Sequence, residues 1–171
     1  MPTVKINGFP KHGNHALAKA VQLLGVSCEV EHVKYTPDAL PRIFIKRDPR
    51  NALVSWLRFS GKPVTQGMFI AALSDFNGET LVAAMAEFEG WLSDANTLVI
   101  QYEDLIASDA ALRQIADYLG VPYLDDAYPN LPGCTITWTG LPSDYTVVWT
   151  PEVEAAWEAA GGAALLTRWG Y

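Results

Sequence analysis

Gly8 and Gly13 bracket Phe-Pro-Lys-His, so a lysine and a histidine sit inside a glycine-bounded turn. Such a turn between a strand and a helix gathers backbone N–H groups, and the helix N-terminus adds positive potential, so it can cradle an anion. A nucleotide triphosphatase loop with this glycine spacing continues with Lys and Ser/Thr, which serve the β/γ-phosphates and Mg²⁺. Here Asn14 and His15 follow, and the lysine has moved inside, to Lys11. Metal-assisted γ-phosphate chemistry is therefore disfavoured. Lys11 can still neutralise one bridging or terminal anion. Taken alone, Gly8–Gly13 reads equally well as an ordinary turn with a solvated lysine.

A second set of anion-binding types lies in Arg42 to Phe59, RIFIKRDPRNALVSWLRF. A strand delivers Arg47 to its carboxyl end, where open α/β sheets bind ligands. Arg47 can fork two donors onto a phosphate, and Ser55, about two turns into the following helix, can add a hydroxyl. Tyr102-Glu-Asp-Leu105 closes a further strand at another carboxyl end.

The elements that must position these residues are legible from periodicity and caps. Thr3–Phe9 alternates as a strand, and Leu17, Ala20, Val21 and Leu24 form a helical stripe closed by Gly25. Cys28–Lys34 and Arg42–Lys46 read as the next strands. Asp48-Pro49 reads as the N-cap and first residue of a helix through about Phe59. Met68–Phe76 is a weaker helix, and Leu81, Met85, Phe88 and Leu92 predict one amphipathic helix. Thr97–Gln101 is short and apolar, as buried parallel strands are. Ser108 caps a helix ended by Gly120 and Pro122, and Thr150-Pro151 caps a last helix ended by Gly161-Gly162. Residues 121–149 show no period, and loops of that length are usually functional.

The pattern predicts an α/β chain: three layers, with a mostly parallel central sheet of four to five strands, helices on both faces, and an architecture like that of P-loop nucleoside triphosphate hydrolases. The 171 residues are read as one domain, 1–171, with 50% hydrophobic residues and enough aromatics for a real core. No apolar run approaches the roughly 18 residues of a membrane span, and the N-terminus carries no signal-peptide pattern, so a cytoplasmic location is expected. Cys28 and Cys134 lack metal-ligand spacing, and no metal is expected. The net charge of −7 argues against nucleic acid and against a heparin-like polymer as partners. Residues 1–62 nevertheless hold ten of the 12 Lys/Arg and four of the 19 acidic residues, a balance of +6 against −13 for the rest. That asymmetry suggests a local anion site.

These motifs together resemble the cytosolic-type sulfotransferases. Phe9-Pro-Lys-His-Gly13 is similar to their 5′-phosphosulfate loop, usually Tyr-Pro-Lys-Ser-Gly-Thr-Thr. Lys46 to Ser55 is similar to their 3′-phosphate motif, including the Arg-to-Ser interval of eight. Leu98 to Pro122 resembles their Tyr-Glu-Asp-Leu strand–helix unit, and Gly140-Leu-Pro-Ser-Asp-Tyr145 resembles a degraded Gly-x-x-Gly-Asp-Trp segment. The resemblance implies a sulfotransferase that moves a sulfuryl group from 3′-phosphoadenosine 5′-phosphosulfate (PAPS) to a hydroxyl or amine of a small-molecule acceptor. The product nucleotide would be 3′,5′-adenosine bisphosphate (PAP), and no metal is involved. It assigns Lys11, His12, Gly13, Asn14, His15, Arg47, Ser55 and Tyr102 to the donor.

It further implies catalytic roles for two residues. Lys11 would stabilise the leaving phosphate oxygen. His32, which also precedes a Leu-Pro turn, would take the acceptor proton, and imidazole has a suitable pKa. His12 and His15, as imidazolium, would bind the anion instead. Tyr102 is either an adenine contact or a half-buried core aromatic. Glu103 and Asp104 are expected to fix a turn, and Trp56 and Phe59 to pack. The Trp and Tyr residues of 121–149 either line an acceptor pocket or close the core. Departures are Asn14 and His15 for two threonines, Ala16 for a common aromatic, and Trp138-Thr139 for an Arg-Lys pair before Gly140, which leaves more of the 3′-phosphate to Arg47, Ser55 and Arg50. A non-catalytic nucleotide- or sulfate-binding module is the alternative reading. The sequence names neither the acceptor nor an oligomeric state.

Overall fold

A computed structural model describes residues 3–37, 41–131 and 143–171. Four parallel strands form one sheet in the order β2-β1-β3-β4, with β1 at Val4–Asn7, β2 at Cys28–Val30, β3 at Arg42–Lys46 and β4 at Thr97–Gln101. In register, Ile6 pairs with Val30 on one side and with Ile43 on the other, and Phe44 pairs with Val99.

Strand side chains alternate between the two faces, and the two cores follow that alternation. Phe44 faces one core, built by α2 (Pro49–Phe59), α3 (Gln66–Ser74), α4 (Leu81–Ala86), α7 (Pro151–Ala159) and α8 (Gly162–Trp169). Ile43 and Ile45 face the other, built by α1 (Asn14–Leu23), α5 (Tyr102–Ala107) and α6 (Ala110–Leu119). This is the expected three-layer arrangement. Trp91, Trp157 and Trp169 are each almost fully buried in the first core. Truncating one buried Trp costs about 3–5 kcal/mol. No helix among the described residues is long and apolar enough to cross a membrane.

Several boundaries differ from the expectation. Strand β2 ends at Val30 and does not reach Lys34, so His32 lies beyond the strand. The expected helix over 81–92 stops at Ala86, and a 3-10 turn, Glu89–Leu92, replaces its end. At the break, the Tyr35 N–H donates to the Glu87 carbonyl at 2.7 Å, and the Tyr35 ring fills the space that a Cβ on Gly90 would need. Tyr102 does not merely close β4; it starts the short helix α5. Gly161-Gly162 ends one helix but opens another, because Gly161 adopts φ 82° and α8 begins directly after it. Within 121–149, Tyr145–Val148 is a 3-10 turn. Cys134, Trp138, Thr139 and Gly140 lie outside the described residues.

Candidate functional site

The Gly8–Gly13 turn joins β1 to α1 at the carboxyl edge of the sheet. Gly8 is required by crowding: a Cβ there would lie 2.6 Å from Asn14 Oδ1 and 2.8 Å from the Ile45 carbonyl oxygen. Gly13, at φ 105°, is required by conformation and by the Tyr102 ring, which a Cβ would overlap. Lys11 adopts φ 67°, the left-handed region that non-glycine residues rarely occupy. The first turn of α1 has no side-chain cap and no acidic residue. Its leading N–H groups therefore remain donors with positive potential, as an anion site needs.

Arg47 follows β3 and is buried, at 8% exposure. Its backbone N–H donates to His12 Nδ1 at 3.1 Å, and its Nη1 donates to the Lys11 carbonyl at 3.3 Å. The guanidinium lies 4.2 Å from the Tyr102 ring centroid. Its Nε is buried without a partner, and no carboxylate pairs with it among the described residues. Burial pushes its pKa down, only partly offset by Tyr102 and Glu103, although an arginine stays cationic. A buried cation without a counter-ion is costly unless an anion arrives.

Lys11 Nζ sits 3.8 Å from the centroid of the Phe59 ring at the end of α2. Burial and the Arg47 charge lower the Lys11 pKa. Phe59 is 69% exposed, so the packing role expected of it is corrected: it is a surface ring against the lysine. Ser55 lies half-buried on α2, one turn before Phe59.

His32 is exposed, and its Nδ1 lies 3.0 Å from the Gly8 carbonyl oxygen. A carbonyl only accepts, so Nδ1 carries a proton, and in the neutral ring it is Nε2 that keeps the lone pair. The structure thus brings Lys11, His32 and Arg47 to the same turn.

Two expectations are revised by burial. His12 has no exposure, accepts from Arg47 through Nδ1, and packs edge-to-face with Phe9 and Trp169. Burial, then the Arg47 charge, hold its pKa well below 6.5, so it is neutral and no imidazolium binds an anion there. Asn14 Nδ2 is spent on the carbonyls of Gly8 and Phe9, each at 3.2 Å, so its side chain shapes the turn and donates nothing outward. His15 remains exposed in the first turn of α1. The Tyr102 ring touches both Gly13 and the Arg47 guanidinium, joining the turn after β1 to the end of β3.

Sequence reading found the Asp48 cap but missed the partners around it. Asp48 caps α2 as expected, accepting from the Arg50 N–H at 2.9 Å, and also holds the Arg50 guanidinium at 3.0 and 2.6 Å. Arg50 in turn lies 4.1 Å from the Tyr145 ring. Glu103 accepts from the Asp48 N–H at 3.3 Å and from the Tyr171 hydroxyl at 3.0 Å. Asn7, discussed below, gave no signal beyond being a polar residue at a strand end.

No family model matches the chain, and none of the curated proteins matches it in sequence. Among solved structures, a mouse sulfotransferase complexed with PAP superposes with a TM-score of 0.69 at 16% identity, covering 92% of this chain and 81% of that one. A four-stranded parallel sheet in the order β2-β1-β3-β4, flanked by helices, with a glycine-bounded turn after its first strand, gives this chain the sulfotransferase-like, P-loop-like α/β fold.

Proposed function

We propose that the protein transfers a sulfuryl group from PAPS to a hydroxyl or amine of a small-molecule acceptor, releasing PAP. The observation that carries this reading is the convergence on one turn of a cation without an ion-pair partner among the described residues, Arg47, a second cation, Lys11, and an imidazole whose Nδ1 is bonded to the Gly8 carbonyl. The PAP complexed with the mouse sulfotransferase supports the same nucleotide class.

The residues present fit the donor. The buried, unpartnered Nε of Arg47 and the uncapped N-terminus of α1 are two separate demands for negative charge. Arg47, with Ser55, would hold the 3′-phosphate; Lys11 and the α1 N–H groups would hold the 5′ side. When bound, the donor supplies the activated sulfuryl group. His32 Nε2 takes the acceptor proton as the acceptor oxygen or nitrogen bonds to sulfur. Lys11 would stabilise the leaving phosphate oxygen as it gains charge, and its loss is expected to slow turnover by about 10²–10³-fold, the scale of a removed oxyanion donor. Low local solvation strengthens that contact, consistent with the lowered Lys11 pKa.

The alternative is a non-catalytic nucleotide- or sulfate-binding module, in which the same cations hold the ligand without turnover. Incubation with labelled PAPS and a panel of phenols, alcohols, amines and sugars decides. Transfer predicts a sulfated product that His32→Ala reduces at least about 100-fold with PAP affinity unchanged, the range of lost acid–base catalysis. PAP binding without any product, unaltered by His32→Ala, would establish the module instead.

A further inference from the structure

We infer that Asn7 is a positioning residue for His32: its side-chain amide continues the β1–β2 ladder past the end of β2 and so fixes the place and tautomer of the imidazole. The inference rests on the proposed reading of His32 as the base.

The last ladder bond between the two strands runs from the Glu31 N–H to the Ile6 carbonyl, at 2.7 Å. Beyond it no further strand pairing joins them. Asn7 then substitutes a side-chain amide for the missing peptide. Its Oδ1 accepts from the Val33 N–H at 3.2 Å and its Nδ2 donates to the Val33 carbonyl at 2.9 Å. The same Oδ1 accepts from the Gly8 N–H at 2.9 Å. Gly8 is the residue whose carbonyl receives the His32 Nδ1 proton, and Val33 follows His32 directly. One fully buried side chain therefore holds both the residue after the imidazole and the residue that fixes its tautomer.

The arrangement is directional. Free imidazole favours its proton on Nε2, the nitrogen that a base here needs unprotonated. The Gly8 carbonyl reverses that preference only while His32 stays within reach, and His32 itself is exposed and otherwise unheld among the described contacts. Trp91 Nε1 also donates to the Val33 carbonyl, at 3.1 Å, so the segment keeps one anchor when Asn7 is changed.

The test uses the full chain with ¹⁵N-labelled histidine and reads the His32 ring nitrogens without any substrate. In the wild type, Nδ1 is expected to carry the proton. In Asn7→Leu, which keeps the size and removes all three bonds, the ring is expected to shift to the solution-like mixture dominated by protonated Nε2. With PAPS and an acceptor turned over by the wild type, kcat should fall at least about tenfold, part of the 10²–10⁴ of general-base catalysis, while PAP affinity stays within about twofold. Asn7→Asp retains both accepted N–H bonds and should recover most of the tautomer preference, and it serves if the leucine variant fails to fold. An unchanged His32 tautomer in folded Asn7→Leu overturns the inference, as does a kcat loss matched by lost PAP affinity. A tautomer shift in a protein that sulfates nothing would uphold the placement by Asn7 and refute the proposed transferase.

Discussion

Arg47→Met exchanges the buried cation for an unbranched apolar side chain and asks separately what the charge does for folding and for binding. For binding, one charge-assisted hydrogen bond contributes about 1.5–3 kcal/mol. A unit charge pair at about 4 Å and an effective dielectric near 20 gives about 4 kcal/mol. These describe the same contact, so about 3 kcal/mol is the expected loss, or roughly 150-fold in PAP affinity. For folding, the variant loses the Lys11 carbonyl bond and the Tyr102 stacking contact, each about 1 kcal/mol. Against that it removes a buried cation that makes no direct ion pair among the described residues, whose desolvation costs several kcal/mol and is only partly offset by Glu103 and Asp48. The melting temperature should therefore move by less than about 4 °C, because about 1 kcal/mol corresponds to 2–4 °C at this size. Calorimetry with PAP and with adenosine 5′-monophosphate, beside a thermal melt, reads both quantities. The monophosphate should lose little, since it lacks the group that Arg47 meets. A variant that binds PAP within threefold of the wild type, or that melts more than about 10 °C lower, would show the arginine to be a structural strut and end the argument for a 3′-phosphate cradle.

Two further outcomes follow from the same geometry. His12 is neutral in the fold, with its pKa depressed from 6.5. The unfolded chain therefore takes up a proton first as pH falls below that value, and the folded state loses about 1.4 kcal/mol per pH unit there. His12→Asn should flatten that part of the stability–pH curve measured by urea unfolding; an identical slope in wild type and variant would mean that His12 is charged when folded. Gly13→Ala places a Cβ into the Tyr102 ring at φ 105°, so it should cost about 2–4 kcal/mol and weaken PAP binding, and a variant as stable as the wild type would show that Tyr102 is free to move aside.

Local chemistry was legible wherever one residue type dictates one geometry. Asp48-Pro49 marked the start of α2 because an aspartate caps and a proline fits the first helical position, and both are found there. Gly8 and Gly13 announced a tight turn, and the short apolar runs announced parallel strands. What stayed hidden depends on contacts between distant residues. Leu81 to Leu92 has a helical stripe, yet at the break Tyr35, more than forty residues earlier, bonds the Glu87 carbonyl and sits on Gly90. Gly161-Gly162 looks like a stop because glycine ends helices, but Gly162 lies against the Trp157 indole and lets Leu165 and Trp169 reach the core of a second helix. Leu165 and Trp169, four apart, were the available signal.

Histidine 12 shows why a site residue can be found by motif and still be misread. Its position in the turn suggested a cation that attracts phosphate. Burial inverts the chemistry: with no exposure, the neutral ring is favoured, and it becomes an acceptor for the Arg47 N–H. The same exchange of partners recurs at the Lys11 carbonyl, which receives the Arg47 guanidinium. The turn after β1 and the end of β3 are thus clamped by two bonds to one residue. On the proposed reading, the span between the Lys11 and Arg47 anion positions would be set by that clamp and by the Tyr102 ring, which touches both Gly13 and Arg47. A binding site for a ligand charged at both ends needs such a fixed span more than it needs extra cations, because each misplaced charge loses hydrogen-bond geometry before it loses Coulomb attraction. On that reading the neutral histidine and the ring would serve the anions indirectly, by holding Lys11 and Arg47 a set distance apart.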